Sequence, residues 1–522
     1  MDIRQTLKDQ YRIEPLMINT KNKEESYLTV KHADFIPTCL ALHKLCHSPV
    51  MLMFAEDKRE TRSCYRLNTA FYASGKQHWY YVCLDFPAGD QDFPSLAKEI
   101  YSASLFEREI WEMFGIRPEG SPDLRKLRLH EEVWPENSFP LRKDFKAGEI
   151  AGSTGKDYSF IKGEGEGLFE VPVGPVHAGI IGPGHFRFSA AGEPIINLEI
   201  RLGFTHRGVE KMLEGKDLTS GVKISECVAG DSAFAHSWAF CQAAEKLLDI
   251  SPSPKAILIR ALFLELERLY NHVNDIGGIA MDVGFTFASA FASIMKENIQ
   301  QLNASLSGSR FLKGINLIGG VSKNIAASQK DMLHAKLNSF SSDLDELEKI
   351  LFENASFMNR VENTGILWKK TAEDIGIIGL AGRASGIAFD LRQFIEPYQG
   401  AGFTPITRDS GDVLARLNVR ILESKQSLHL IAAFLEKIKT GDLSVTPFVP
   451  KEGFAAGAVE GWRGPVIYWL KLNSNGKIER CKIVDASFHN WEGLAYAVKG
   501  EIIPDFPLCN KSFDLSYPGN DL

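Results

Sequence analysis

Cysteines are the side chains best suited to hold a redox-active metal, because a deprotonated sulfur donates enough charge to bind a soft metal and tune its potential. The chain has eight of them, namely Cys39, Cys46, Cys64, Cys83, Cys227, Cys241, Cys481 and Cys509. No two stand at Cys-x-x-Cys spacing, so their positions predict neither an iron-sulfur nor a zinc framework. Reduced cytosolic thiols are the expected state.

Acidic and histidine side chains offer a second chemistry, the transfer of protons. Glu210 lies beside His206, and Asp282 follows a helical pattern that bears Glu265, Glu267, Arg268 and His272. A buried carboxylate beside a histidine can exchange a proton near neutral pH, because desolvation and the partner's charge pull its proton affinity in opposite directions. The alternative is a structural ion network that holds helices in register, made by Glu210, Arg268, Asp282 and Arg383.

Length and composition bound the architecture. At about 150 residues per domain, 522 residues predict about two to four domains. The net charge of -7 comes from 59 basic and 66 acidic residues without basic tracts, which argues against a nucleic-acid partner. The amino terminus lacks the apolar run of a signal peptide, and no apolar stretch of about 18 residues predicts a membrane span.

Changes in composition divide the chain into three parts. Residues 1–145 mix strand-like and helix-like segments and predict a small α+β domain. Residues 146–170 are rich in Gly, Ser and Lys, lack apolar surface for packing, and predict a linker. Residues 171–522 form the third part, with strand-like segments around Val173 to Ile200 followed by long helical patterns.

Several elements can be predicted individually. Trp79–Asp85 predicts a strand, and Ser95 to Phe114 an amphipathic helix that opens with a serine cap. An Asn-Gly turn at 473–476 between two β-type runs predicts a hairpin over 465–484. Long helices are predicted at Phe234–Leu248, Ala256–Asn274, Ala288–Leu306, Ser328–Glu353 and Gly411–Lys439.

Three segments of the first part, in matching order, resemble the C-type subunit of the proton-pumping NADH-quinone oxidoreductase, complex I. They are Glu107-Arg-Glu-Ile-Trp-Glu-Met-Phe-Gly-Ile116, Pro122-Asp-Leu-Arg125 and Pro140-Leu-Arg-Lys-Asp-Phe145. In that family the module docks onto its neighbours and carries no cofactor. The alternative for Glu107, Glu109 and Glu112 is a solvated helix face.

From residue 171 to its end the chain resembles the D-type subunit of complex I and, more closely, the large subunits of group 4 membrane-bound nickel-iron hydrogenases. The matching segments include Gly174-Pro-Val-His177, Pro183-Gly-His-Phe-Arg187, Thr205-His-Arg-Gly-Val-Glu-Lys211, Leu264-Glu-Leu-Glu-Arg268, Met281-Asp-Val-Gly284 and Arg383-Ala-Ser-Gly386. The two modules in one chain match the C-D fusion of complex I and of formate-hydrogenlyase-type hydrogenases.

The chain departs from both branches where their chemistry is done. The segments 228–236 and 514–521 resemble the two metal-binding segments of the hydrogenases, each of which carries a Cys-x-x-Cys pair there. The corresponding positions here are Ala229, Ser232, Ser516 and Gly519, none of which offers a thiolate. We therefore expect no nickel-iron centre and no other metal or cofactor bound by this chain.

In the quinone branch a tyrosine hydrogen-bonds the quinone headgroup, and Gly230 stands at its position without a hydroxyl. Either His177 or His185 matches the histidine of that site, and each has an alternative structural role. Glu210 matches the hydrogenase glutamate that moves protons, and Asp282 matches the aspartate that partners the quinone-site histidine. These four side chains are the candidates for a proton relay or acceptor pocket.

The resemblance implies an α+β fold, in which a small N-terminal α/β domain joins a large, mainly helical domain with flanking strands. It implies a peripheral-arm subunit of an energy-converting oxidoreductase, on the cytoplasmic, inner face of the cell membrane. Its expected partners are an iron-sulfur small subunit, a ferredoxin-like subunit and membrane-arm subunits, with a quinone as a possible acceptor. A non-catalytic assembly scaffold is the alternative, and a hydrogenase is the weaker alternative.

Overall fold

The computed structural model describes residues 3–89, 92–149, 152–153, 155–163, 165, 167–177, 181–445 and 448–522. Helices and strands alternate in its first part, and helices predominate in its second, so the predicted α+β class is confirmed. No helix of these residues is long and apolar enough to cross a membrane.

The N-terminal module is built on a five-stranded sheet of order β1-β2-β5-β4-β3. Within this sheet the β2–β5 pair is parallel and the other pairs are antiparallel. Strand β5, which contains the predicted strand Trp79–Asp85, pairs with β4 along its whole length. Its strands are β1 Met17–Asn22, β2 Glu25–Val30, β3 Leu52–Lys58, β4 Cys64–Ala73 and β5 His78–Pro87, with a small parallel pair β6 Asp92–Pro94 and β7 Arg117–Glu119. Its helices are α1 Ile3–Tyr11, α2 Phe35–Cys46, α3 Arg59–Arg62 and α4 Ser104–Phe114.

The predicted helix at Ser95–Phe114 starts nine residues late, at Ser104. Ser95 is engaged elsewhere, because its N–H donates to the Glu119 carbonyl and its hydroxyl to Glu107 at 2.6 Å. A serine that can cap a helix can equally hold a turn, and here it holds the turn before α4.

The predicted solvated face of Glu107, Glu109 and Glu112 is wrong, because all three side chains are buried. Glu107 accepts from Ser95, and Glu112 accepts the backbone N–H groups of residues 127–129. Glu109 pairs with two cations. Glu112 instead binds a loop of its own module, and Glu109 binds Lys482 of the larger module.

The larger module begins with an antiparallel sheet of order β10-β9-β8 and ends with a second one, β13-β14-β15. The predicted Asn-Gly hairpin joins β14 to β15, with Gly476 at a φ of 69°. The strands are β8 Leu168–Val173, β9 His185–Ala191, β10 Ile195–Arg201, β11 Asn316–Leu317, β12 Gly320–Val321, β13 Gly453–Glu460, β14 Pro465–Leu472 and β15 Ile478–Val484.

Between and after these sheets lie the helices of the bundle. The five predicted long helices are present, and the second of them, α8, runs eight residues further than predicted, with Asp282 as its last residue. The helices are α5 Val209–Leu213, α6 Leu218–Ser225, α7 Ala233–Leu248, α8 Pro254–Asp282, α9 Thr286–Ser307, α10 Ala327–Phe352, α11 Ala355–Val361, α12 Lys369–Ile375, α13 Gly379–Ala384, α14 Glu396–Gln399, α15 Val413–Lys437, α16 Ala486–Ala497, α17 Phe506–Phe513 and α18 Tyr517–Asp521.

Helix α8 is the centre of the bundle and packs against α9 and α15. Ser253 caps it by accepting the N–H of Ala256, and Pro254 occupies its first turn, where a missing N–H costs nothing. Gly284, at a φ of 78°, turns the chain toward α9. Most side chains of α8 are buried, so this 29-residue helix positions carboxylates deep inside the protein.

The hydrophobic core of the N-terminal module extends into the larger module, whose helical bundle has a separate core. Side chains of β13–β15 pack into the core of the N-terminal sheet, and the Trp469 ring lies 4.7 Å from that of Phe54. The Trp469 indole N–H also donates to the Tyr27 hydroxyl at 3.1 Å. Side chains of both modules therefore pack directly against each other at the module junction.

Part of the predicted linker 146–170 also packs. Tyr158 is buried and its hydroxyl donates to Glu199 at 3.1 Å, and β8 takes the last three residues of the predicted range. Residues 150, 151, 154, 164 and 166 lie outside the described residues. The domain boundaries themselves remain a prediction.

Buried charges cross the module junction. Lys482 on β15 contacts Glu109 of the N-terminal module and lies 3.2 Å from Glu210 on α5. Arg128 lies 3.3 Å from the other oxygen of Glu109. All of these side chains are nearly inaccessible, so Glu109 depends on Lys482 and Arg128 for compensation, and Glu210 on Lys482 and Arg480.

We predict that Lys482→Met destabilises the full chain by roughly 3–5 kcal/mol, because two buried carboxylates lose their shared cation. The control is Lys370→Met, which removes the exposed pair with Asp374 and should cost about 0–1 kcal/mol. Urea unfolding followed by circular dichroism measures both. Equal losses in the two variants would contradict the buried bridge.

Candidate functional site

The two segments that resemble metal-binding segments meet in the structure. Ser232 precedes α7 and Ser516 caps α18. Between them lies Asp485, the cap of α16, whose Oδ2 is 3.2 Å from Nε2 of His236 on α7. The resemblance thus identified two distant segments that come together around one carboxylate.

The side chains at this meeting point do not fit a four-thiolate metal centre. The Ser232 hydroxyl accepts the Trp462 indole N–H at 3.0 Å, and the Ser516 hydroxyl accepts the Gly519 N–H at 3.0 Å. A Cβ on Gly519 would lie 2.8 Å from Cγ of Asp485, which leaves no room for a cysteine. Among the described residues, no group of three or more His, Cys, Asp or Glu is arranged to hold a metal ion.

A buried hydrogen-bond chain fills the centre instead. Nδ1 of His236 lies 3.0 Å from the Tyr468 hydroxyl, and its Nε2 faces Asp485. Burial alone would raise the pKa of Asp485, but the hydrogen bond and charge of His236 outweigh burial and hold it at about 2. The Asp485 carboxylate is therefore ionised at neutral pH.

Arg463 joins the two segments on the other side. Its guanidinium lies 3.8 Å from the centre of the Trp462 ring and donates to both oxygens of Asp231, at 2.9 and 2.7 Å. It also lies 3.3 Å from Asp514. The Arg463 guanidinium thus connects Asp231, next to Ser232, with Asp514, two residues before Ser516.

Asp514 and Asp275 form a carboxyl pair at the inner end of this cluster. Burial and the neighbouring Asp514 raise the pKa of Asp275 to about 8, although Arg420 donates to it at 2.8 Å. Burial would also raise the pKa of Asp514, but Lys511, at 2.9 Å, and Arg463 hold it well below its ordinary value. The two carboxyls therefore titrate as a coupled pair, in which Asp275 holds a proton more tightly than Asp514 does.

Asp282 belongs to the same cluster and lies two helical turns beyond Asp275 on α8. Partial burial raises the pKa of its carboxyl. The Asp514 carboxylate raises this pKa further, and Lys511 lowers it. The Asp282 side chain is exposed to solvent. The arrangement places a solvent-accessible carboxyl near a buried, proton-sharing pair.

Glu210 lies elsewhere, at the module junction. It accepts from Arg480 at 2.7 Å and from the Ile483 N–H at 3.0 Å. Burial would raise its pKa, but Arg480 and Lys482 lower it to about 2. The predicted network of Glu210, Asp282, Arg268 and Arg383 is therefore three separate clusters, since Arg268 and Arg383 bind Glu423 in the bundle core.

His177 lies within the connection between β8 and β9, and His185 is the first residue of β9. Nδ1 of His185 is 3.3 Å from the Gly174 carbonyl, and Nε2 of both rings has no hydrogen-bond partner. Burial lowers the pKa of both histidines, so both are neutral at pH 7. In the described residues neither ring hydrogen-bonds to Asp282 or Glu210.

Gly230 is exposed, and a Cβ built on it would meet no atom within 4 Å. The position of the quinone-branch tyrosine is therefore open space. The backbone there could accommodate a side chain, and this sequence supplies none.

The comparisons with known proteins agree with both halves of the chain. The family model of the respiratory-chain NADH dehydrogenase 30 Kd subunit matches residues 28–150, and that of the 49 Kd subunit matches residues 282–448. Formate hydrogenlyase subunit 5 of Escherichia coli (strain K12) is 30% identical over 513 residues, which cover 96% of this chain and 90% of that protein. The chain belongs to this family of fused 30 Kd- and 49 Kd-type subunits.

Other members of the family extend the comparison. Hydrogenase-4 component G of Escherichia coli is 32% identical over 479 residues, 90% of this chain and 83% of that protein. The fused C/D-type subunit of the NADH-quinone oxidoreductase of Phocaeicola vulgatus is 29% identical over 411 residues, 74% of this chain and 78% of that protein. The predicted resemblance to complex I and to hydrogenase subunits is confirmed.

A solved structure shares the fold of about two thirds of this chain. A chain of the membrane-bound sulfane sulfur reductase, described as an archaeal respiratory membrane complex, superposes with a TM-score of 0.65 at 24% identity. The match covers 68% of this chain and 99% of the other.

Sequence reasoning missed the residues that fill the centre. Asp485 and Arg463 stand outside both quoted segments, and only contacts across hundreds of residues reveal them. Asp275 did carry a signal, because its i,i+7 spacing to Asp282 places both on one face of α8.

We predict that Asp275→Asn changes how stability depends on pH. The pKa of Asp275 is about 8 in the folded protein and about 3.9 in the unfolded chain. The contribution of this group to the free energy of unfolding of the wild type therefore falls as pH rises from about 4 to about 8. The asparagine cannot titrate and still donates to Asp514. The variant should therefore gain on the wild type by up to about 1.4 kcal/mol per pH unit in that window.

Urea unfolding of the full chain at several pH values measures this difference. Asp331→Asn on the exposed side of α10 is the control, and its offset from wild type should stay constant. A constant offset for Asp275→Asn as well would show that its carboxyl is ionised in the folded protein.

Proposed function

We propose that this chain is a peripheral-arm subunit of a membrane-associated, energy-converting oxidoreductase complex and has no nickel-iron centre of its own. It couples electron transfer from an iron-sulfur cluster of a partner small subunit to a quinone-like acceptor and to ion translocation. Relatives that are subunits of NADH-quinone oxidoreductases and hydrogenases support the class of complex.

The observation that carries the proposal is the replacement of the four-thiolate arrangement. Ser232 and Ser516 use their hydroxyls in structural hydrogen bonds, and Asp485 fills the space beside Gly519. A nickel-iron centre of the hydrogenase type is held by thiolates, which these positions lack, so the hydrogenase alternative is the least supported. The electrons must then come from and go to groups held elsewhere.

Reduction of a quinone to a quinol takes two electrons, from the partner's cluster, and two protons, one on each carbonyl oxygen. Within this chain the cluster of Asp275, Asp514 and Asp282 is the set best suited to hold such protons, because its pKa values are spread by burial and mutual charge. His177 and His185 are candidates for the acceptor side. Glu210 is the weaker candidate, because two cations keep it ionised.

The partners in this proposal are an iron-sulfur small subunit, a ferredoxin-like subunit and membrane-arm subunits, with the complex on the cytoplasmic face of the membrane. An assembly scaffold is the second candidate function. The observation that favours it is the full pairing of Glu210 with Arg480 and Lys482 at the module junction, which serves structure alone.

The proposal predicts that protein purified from its native host carries no stoichiometric nickel or iron once partner subunits are removed. Elemental analysis by mass spectrometry, with protein concentration from amino-acid analysis, measures this. Near-equimolar nickel would contradict the proposed function and favour the hydrogenase alternative.

The proposal also predicts that Asp282→Asn lowers quinone reduction and ion pumping in the reconstituted complex by about a hundredfold, while the complex assembles normally. The amide keeps the shape of the carboxyl but cannot take up or release a proton. Asp331→Asn is the surface control and should leave turnover normal.

The variant Glu210→Gln distinguishes a proton-relay role of this carboxylate from the assembly-scaffold function. We expect it to reduce assembly, because Arg480 and Lys482 lose their buried carboxylate, and to leave turnover per assembled complex close to normal. Normal turnover in both Asp282→Asn and Glu210→Gln, with normal assembly, would exclude a proton-relay role and leave the scaffold function.

A further inference from the structure

A cavity of about 620 Å³ lies between the two modules, and none of its lining residues belongs to the carboxylate clusters described above. Its walls come from α1, the end of α2 and the turn between β4 and β5 on one side. Residues 377–379 and 387–389 of the larger module form the other side. Small-molecule sites in proteins have volumes of about 300–1,000 Å³, so this cavity is large enough for a ligand.

The interior of the cavity is mainly apolar. Its lining residues include Leu45, Met51, Ile377, Ile387 and Phe389. Cys46 also lines it, and burial raises the pKa of the Cys46 thiol to about 12, so this side chain is neutral. Such walls offer few hydrogen bonds to a polar ligand, but they favour a hydrocarbon group that leaves water.

Hydrogen bonds fix the wall that the N-terminal module contributes. The Ser48 hydroxyl donates to the Pro49 carbonyl at 2.9 Å and accepts the Tyr72 N–H of β4 at 3.2 Å. The Val50 N–H donates to the Ser102 hydroxyl at 2.9 Å. The loop after α2 is therefore tied to the sheet on one side and to the segment before α4 on the other.

The wall of the larger module is fixed as well. The Asn490 side chain accepts the Ile378 N–H at 3.1 Å and donates to the Ile378 carbonyl at 3.0 Å. Gly379 has a φ of 65°, and a Cβ on it would lie 2.1 Å from the Arg463 carbonyl oxygen. Because both walls are held by buried contacts, the cavity is preformed and a ligand need not open it.

Charge at the rim narrows the class of ligand. Lys76 and His47 line the cavity and are exposed, and the Lys76 ammonium lies 6.0 Å from the centre of the Tyr80 ring, which also lines it. Among the described residues that line the cavity, none is Asp or Glu. A cation beside an apolar interior, without a carboxylate, suits a ligand with a hydrocarbon chain and an anionic head.

We propose that this cavity binds a free fatty acid, with the chain between the two modules and the carboxylate beside Lys76 at the rim. Both modules contribute walls, so a bound chain stabilises the module junction and raises the unfolding midpoint of the protein by mass action. This binding needs no electron donor or acceptor and is therefore independent of the proposed function.

Isothermal titration calorimetry of the full chain with hexanoate, octanoate and decanoate tests the site of the hydrocarbon chain. We expect saturable binding of decanoate at one site. The affinity should rise by about fourfold for each methylene added along the series, because each additional methylene leaves water for the apolar walls.

The variant Lys76→Met tests the position of the carboxylate. It should weaken decanoate binding about three- to fivefold, the effect of one solvent-exposed ion pair, and leave the binding of uncharged decanol unchanged. Lys336→Met, on the exposed side of α10, is the matched control and should bind both compounds like the wild type.

The variant Ala388→Trp tests the position of the chain. Ala388 lines the cavity and is exposed, so an indole there takes up ligand volume without displacing a buried side chain. Decanoate and decanol should both bind about tenfold more weakly, the loss of roughly two buried methylenes. Ala335→Trp on the exposed side of α10 is the control.

A second measurement locates the ligand in the wild type and needs no variant. A fatty acid with a diazirine on its chain is photolysed with the full chain, and the labelled peptides are identified by mass spectrometry. The label should fall on residues 45–51 and 377–389, and excess decanoate should suppress it.

Each outcome decides a part of the proposal. Absence of saturable decanoate binding to the wild type, or labelling outside the cavity walls, would overturn it. Decanoate binding that Ala388→Trp leaves unchanged, with a wild-type unfolding midpoint, would also overturn it. Equal binding of decanol and decanoate, both unaffected by Lys76→Met, would overturn the fatty acid as the ligand and indicate a neutral molecule.

Discussion

The buried carboxylate of Glu423 on α15 is the interaction on which the bundle depends. One of its oxygens accepts from Arg383 of α13 at 2.8 Å, and the other lies 3.3 Å from Arg268 and 2.9 Å from His272, both on α8. All these side chains are inaccessible to solvent. Removal of one partner would leave an uncompensated interior charge at a cost of roughly 3–5 kcal/mol, so three helices are held in one register.

That register also builds the candidate site. Arg420 stands one turn before Glu423 on α15, and Asp275 stands one turn after His272 on α8, so the same helix pair brings Arg420 to Asp275 at 2.8 Å. Asp275 then lies against Asp514, which Lys511 and Arg463 neutralise. The proton-sharing pair is therefore a consequence of packing: a one-turn slip of α8 against α15 would separate it.

Local patterns predicted the elements well, because periodicity and turn chemistry are properties of short segments. The Asn-Gly hairpin and the long helices were found in place. The prediction failed where a polar side chain had two uses, as with the cap-like Ser95 and the buried Glu109. The Asp485–His236 and Arg463–Asp231 contacts span more than two hundred residues, and no local pattern encodes such a contact in a single sequence.

The absence of the four thiolates also changes what the site can do. A thiolate–metal centre stores electrons, whereas the Asp485–His236 chain and the Asp275–Asp514 pair can only hold or move protons. Space that a cysteine at Gly519 would need is occupied by Asp485, so the site has been repacked. On the proposed function, this chain therefore contributes proton positions to the reaction. Its redox chemistry must then be supplied by the cluster of a partner and by the quinone itself.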